Sequence, residues 1–262
     1  MSILTDTARG VEFEVLEEGD GDPVVLLPSA QRGAADFTLL QTALSAAGYR
    51  SIAVNLRGAG RSTPPPAAMT LRDHADDVAF VIRQVASGPA HVVGHALGNV
   101  VARATASYRP EVVASVVVMP CGGHSLATYP VADEVLSAFS RCHDRSLSRE
   151  ERLEALQTAF FAPGNDPSPW LNGWWPSAGS GAIGTADPDE WWHAGDTPLL
   201  IVQPLDDAMA PIGVGRDAAA ALGRRATYVE IPHCGHAILP EQPDLVAQHV
   251  IDFLRAQPAV RP

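Results

Sequence analysis

Cysteine is scarce: Cys121, Cys142 and Cys234 are the only three in 262 residues. An odd count without framework spacing argues against a disulfide scaffold and fits reduced thiols in a cytoplasmic protein. Positive charge is also short, with 18 Lys and Arg against 30 Asp and Glu and a net charge of −12. Nucleic acid and anionic bilayers both demand a basic surface, so neither is expected as a partner. No apolar run approaches the roughly 20 residues of a membrane span. Residues 1–11 carry charges and no apolar stretch, so no signal peptide is expected there. Phosphate loops, zinc-ligand spacings and dinucleotide fingerprints are missing, so neither cofactor nor metal is expected. The expected partner is a small-molecule substrate, with a second copy of the chain in a homodimer as the other expectation.

What is present is an ordinary soluble composition, 46 % hydrophobic and 18 % charged. The length suits one large α/β domain with an insertion. Apolar runs at 23–27, 50–55, 90–93, 112–119, 198–203 and 226–231 read as strands, and 11–17 alternates like an antiparallel one. Between them, 34–47, 70–86, 97–108, 211–222 and 242–256 read as helices. Residues 70–86 are amphipathic, with Leu71, Ala75, Val78, Val81 and Ile82 on one face. This alternation predicts an α/β fold, a mostly parallel sheet with helices on both faces. Over about 122–195 it stops. That stretch has helical segments, such as 147–161 with Ser146 or Ser148 as cap, and no clear strand. The expected organisation is a core in two parts, 1–121 and 196–262, around a helical cap, 122–195. Residues 257–262 read as a frayed tail.

Three motifs carry chemistry. Gly94-His95-Ala96-Leu97-Gly98 follows a strand and opens a helix. That context makes a sharp turn whose middle residue is thrust up, with flanking glycines allowing close chain approach. The Leu97 amide at the helix start would face developing negative charge. Asp206-Asp207 leaves the strand at 198–203, where a carboxylate can orient an imidazole. His233-Cys234-Gly235-His236 leaves the last strand.

The order of turn, acid and histidine resembles the α/β-hydrolase superfamily over nearly the full length. Leu56-Arg57-Gly58-Ala59-Gly60-Arg61-Ser62 is similar to its Arg-Gly-x-Gly-x-Ser turn, Asp207 stands four before Pro211, and Gly235-His236 precedes Glu241-Gln242-Pro243. The resemblance implies the α/β-hydrolase fold, Asp207 and His236 as acid and base, and an oxyanion hole from the backbone N–H groups of Leu97 and Ala30. Three positions depart from the pattern. Ala96 occupies the nucleophile position, where serine is usual; Pro28-Ser29 replaces the usual His-Gly; and Asn99 replaces a small residue. An engineered Ser→Ala change would account for the first alone, whereas three departures around one site suit a branch that natively lacks the serine.

Among the remaining candidates, Ser29 and Cys121 follow strands at the edge where such sheets bind ligands, either lining the pocket or serving as a relocated nucleophile. His95 reads as scaffold, His233 as structural or rim, and Cys234 as packing. His124 and His193 flank the insertion within potential reach of the cleft. All five tryptophans fall in the insertion. Part of that set must be core, and part, Trp174, Trp175 and Trp191 among them, suits the wall of an apolar or aromatic substrate site.

The leading expectation is a hydrolase-type enzyme acting on a small apolar carbonyl compound, an ester or a lactone. With serine at position 96 it would form an acyl-enzyme. With alanine native, His236 would act as general base toward water or substrate, which also admits lyase or ring-closing chemistry. A ligand-binding protein without turnover is the reading from another class. It has no chemical need for Asp207 and His236.

Overall fold

The computed structural model describes residues 1–122, 128–179 and 185–260. Valine-rich segments form the strands because β-branched side chains pack well on a pleated surface. In chain order these are β1 (Ser2–Asp6), β2 (Val11–Glu18), β3 (Asp22–Leu27), β4 (Tyr49–Val54), β5 (Ala90–His95), β6 (Val113–Met119), β7 (Leu199–Pro204) and β8 (Ala226–Ile231). They make one eight-stranded sheet in the order β1-β2-β4-β3-β5-β6-β7-β8. β1–β2 and β2–β4 pair antiparallel, and the other neighbours are parallel. β5 is buried along its whole length, as a strand covered on both faces must be.

The helices are α1 (Thr38–Ala46), α2 (Leu71–Val85), α3 (Leu97–Tyr108), α4 (Asp133–Arg141), α5 (Arg149–Phe160), α6 (Pro188–Trp191), α7 (Ile212–Leu222), α8 (Ile238–Glu241) and α9 (Pro243–Arg255). Thr70 and Asp73 close a capping box on α2, whose predicted apolar face is buried. Ser148 and Glu151 do the same on α5. α1 and α9 pack against one face of the sheet, with Leu40, Leu44, Val246 and Val250 among the buried side chains. α2, α3 and α7 cover the other. The connections leaving β3 and β5, adjacent parallel strands, thus pass to opposite faces. That opens a crevice at their carboxyl ends, where ligands bind in sheets of this type.

Some expectations need correction. The predicted helix at 34–47 begins as a 3₁₀ turn over Ala34–Phe37 before α1. β1, an edge strand of half-exposed residues, and the four-residue α8 were not anticipated. The tail is not frayed as far as Val260. That side chain is buried, and its N–H donates to Asp22 Oδ2 at 3.1 Å. No described helix is long and apolar enough to cross a membrane.

Candidate active site

Five strand ends supply one cavity of about 240 Å³. After β3 come Ser29 and Ala30, after β5 Ala96 and Leu97, after β6 Pro120 and Gly122, after β7 Met209 and Ala210, and after β8 His236. Asn99 and Val100 add the first turns of α3, while Phe139 of α4 and Phe160 of α5 line it from the inserted segment.

Ala96 sits between β5 and α3 with φ 48° and ψ −107°. That is a strained conformation for a residue with a Cβ, of order 1–3 kcal/mol. The flanking glycines leave room for the tight turn. A Cβ at Gly98 would lie 2.0 Å from the Leu27 carbonyl oxygen, and one at Gly94 would lie 2.2 Å from that of Gly98. Leu97 is the first residue of α3, so its N–H has no partner within the helix. Neither it nor the Ala30 N–H donates to a described protein group.

His236 Nδ1 lies 3.0 and 3.1 Å from the two carboxylate oxygens of Asp207. Asp207 Oδ1 also accepts the N–H groups of Met209 and Ala210, each at 2.8 Å, which fixes the carboxylate. Facing a carboxylate, Nδ1 carries the proton, leaving Nε2 as an acceptor. Nε2 has no hydrogen-bond partner among the described residues. Asp206 is exposed, and among the described residues only its N–H is engaged, by the Cys234 carbonyl at 2.9 Å.

His95 is fully buried, and burial together with nearby His236 pushes its pKa down to about 3. The neutral ring sits with Nε2 2.8 Å from the His236 carbonyl oxygen, so that nitrogen is the donor. The turn after β5 is thereby tied to the histidine loop. Glu241 ties that loop to the inserted segment: its carboxylate accepts from Gly235 N at 2.9 Å, Ala162 N at 2.8 Å and Asn165 Nδ2 at 2.6 Å. Ala237 N donates to the Phe160 carbonyl at 2.9 Å, and the Phe160 ring lies 5.6 Å from that of His236.

A family model described as "Alpha/beta hydrolase family" matches residues 24–249. The chain belongs to the α/β-hydrolase family. It is similar to "Putative carbamate hydrolase RutD" of Variovorax paradoxus, 30 % identical over 93 % of this chain and 96 % of that protein. It is also similar to "Putative non-heme bromoperoxidase BpoC" of Mycobacterium tuberculosis, 26 % identical over 90 % and 95 %. Among solved structures, an esterase from Exiguobacterium antarcticum superposes with TM-score 0.79, covering 97 % of this chain and 99 % of that one at 17 % identity, and so shares the fold.

Within this hydrolase fold the three tryptophans expected at a substrate wall do not line the cavity. Trp191 closes α6, and its carbonyl accepts from Ser107 Oγ. Ser107 is 11 residues along α3 from Ala96, about 16 Å at the helical rise. Trp191 packs there as core, with Trp192. Trp174 donates from Nε1 to the Trp170 carbonyl at 2.7 Å. The rings of Trp170 and Trp174 hold the buried Arg32 guanidinium at 4.7 and 4.8 Å, which joins the insertion to the loop after β3. Trp175 donates its N–H to the Gln31 carbonyl and keeps 39 % of its surface exposed.

His193 is at the opposite edge of the sheet from the cavity. Its carbonyl accepts from Arg225, just before β8. His124 lies outside the described residues. Cys121 is fully buried, and burial raises its thiol pKa; its Sγ accepts from Arg103 at 2.9 Å, and it does not line the cavity. Ser29 does. Sequence reasoning missed Phe139, Phe160 and Met209. A helix ending in Phe160-Phe161 and a Met two residues beyond Asp207 were the available signals. Among the described residues no three His, Cys, Asp or Glu side chains group as a metal site.

Proposed function

We propose that this α/β-hydrolase acts on a small apolar carbonyl compound, an ester or a lactone, by general-base catalysis through His236 with no acyl-enzyme at residue 96. The observation that carries this reading is an imidazole locked by Asp207 at Nδ1, with Nε2 unpartnered, beside a strained Ala96 that has no hydroxyl. In this reading Ala96 natively fills the nucleophile position and the inserted helices serve as a cap. His236 Nε2 takes a proton from water, and the water oxygen bonds to the carbonyl carbon. The displaced π pair becomes an oxyanion, held by the N–H groups of Leu97 and Ala30. Collapse breaks the bond to the alkoxide, which leaves with the proton from His236. The apolar surroundings from Val100, Phe139, Phe160 and Met209 favour an apolar substrate. Relatives named as hydrolases support carbonyl chemistry.

The test uses a panel of aryl esters and lactones. Turnover without an initial burst is expected, abolished in His236→Ala, with no protein adduct by mass spectrometry after a serine-directed phosphonate. Full turnover in His236→Ala, or a phosphonate adduct on Ser29, would overturn the mechanism. Tight binding with no turnover on any substrate would return the ligand-binding reading.

A further inference from the structure

Two of the tryptophans expected at a substrate wall line a second cavity, of about 250 Å³, on the inserted segment. Trp174, Trp175 and Leu171 give it apolar surface. His143 and Arg145, from the loop after α4, and Arg152, from α5, give it cationic and polar surface. It shares no lining residue with the catalytic cavity, and no Asp or Glu lines it.

Arg152 is half-buried and fixed in place. Its Nε donates to the Cys142 carbonyl at 3.0 Å, and its Nη2 to the Leu171 carbonyl. Nη1 has no hydrogen-bond partner among the described residues, and, unlike Arg103 Nε, it is not sealed from solvent. No carboxylate neutralises this guanidinium. The sheltered Arg32 and Arg57 are each bound to one, Asp36 and Asp77, whereas neither Arg152 nor the exposed Arg145 forms an ion pair with a described residue. Asp144, beside Arg145 in the chain, uses Oδ1 to accept from Ser146 N and Oγ, at 2.9 and 2.7 Å. A sheltered cation ordinarily has a counter-charge, and here the space for one is the cavity.

We propose that this cavity binds a small aromatic carboxylate, at a site separate from the catalytic one. Arg152 Nη1 donates to the carboxylate, and Arg145 adds a second positive charge from the exposed side. The indoles of Trp174 and Trp175, with Leu171, take the ring. The proposal does not depend on turnover at His236.

The test is calorimetric binding of 1-naphthoate, 1-naphthamide and inorganic phosphate to the unaltered protein, Arg145→Gln, Arg152→Gln and His236→Ala. 1-Naphthoate should bind about tenfold or more tighter than 1-naphthamide, which keeps the rings without the charge. Phosphate, which keeps a charge without the rings, should bind more weakly than 1-naphthoate. Arg152→Gln should erase the preference for the acid over the amide. Arg145→Gln should weaken 1-naphthoate about two- to fivefold, as expected of an exposed charge. His236→Ala, which alters only the other cavity, should leave both affinities unchanged. No preference for the acid in the unaltered protein, or phosphate binding as tightly as 1-naphthoate, would overturn the proposal. So would a preference that His236→Ala removes and the arginine variants keep, because the acid would then sit in the catalytic cavity. If Arg152→Gln fails to fold, Arg145→Gln and His236→Ala still decide between the two cavities. Binding is read without turnover, so failure of the hydrolytic mechanism leaves this result standing, and the reverse holds for the ester and lactone panel.

Discussion

At residue scale, Ala96 concentrates the tension between fold and chemistry. Its backbone has the strained turn that offers a side chain to the cavity, and the offered side chain is a methyl group. Serine at this position would meet no new backbone demand, because alanine, which also carries a Cβ, already adopts φ 48°. On the general-base reading, Ala96→Ser should change kcat/KM for the best substrate less than about tenfold, measured on the same ester and lactone panel. Loss of a true triad serine costs on the order of 10⁶ in kcat. A gain of several orders of magnitude would therefore mean that the site is built for a serine nucleophile. The neighbouring Asn99 amide already spends its hydrogens on the Ala96, Pro120 and Gly122 carbonyls, so it cannot also donate to a new hydroxyl.

At the scale of elements, local signals set much of the outcome. The serine box at the start of α5 is one: Ser148 Oγ accepts from Glu151 N at 3.2 Å, and Glu151 answers to Ser148 N at 2.8 Å. Ser148→Ala should cost about 1 kcal/mol, a drop of roughly 2–4 °C in Tm by calorimetry for a chain of this size; no change would mean that α5 is held by packing alone. α3 and β8 span the residues that their patterns predict, Leu97–Tyr108 and Ala226–Ile231, because the glycine-flanked turn at 94–98 marks the start of α3, and the β-branched and aromatic residues Thr227, Tyr228, Val229 and Ile231 mark β8. β1 was illegible because an edge strand need not alternate cleanly. The burial of Val260 depends on Asp22, at the other end of the sequence, and no local pattern encodes such a contact. The same limit governs the site. The turn at 94–98, Asp207 and His236 each announce themselves by strand-end context. Which tryptophans face the cavity depends on where the insertion folds back, and Arg32 and the far end of α3 capture them instead.

At the scale of the whole molecule, two buried histidines contribute to the response to acid. Burial depresses the pKa of His91 to about 4 and that of His95 to about 3, from an ordinary value near 6.5. The unfolded chain then binds protons that the folded chain refuses. Their contribution to stability is full above about pH 6.5 and falls toward pH 4, at roughly 1.4 kcal/mol per pH unit for each imidazole. His91 lies outside the cavity, with Nδ1 2.8 Å from Ser115 Oγ. Urea titrations of His91→Asn should show an acid limb about 1.4 kcal/mol per pH unit shallower over that window; an unchanged limb would sink this assignment. One further consequence follows from Glu241, which binds Gly235 on one side and Ala162 and Asn165 on the other. Phe160 and His236 are hung from the same post. Gly235, one residue before His236, and Ala162, two residues after Phe160, share the Glu241 carboxylate. The base and one aromatic wall of the cavity are therefore registered to each other through a single carboxylate rather than each through its own element.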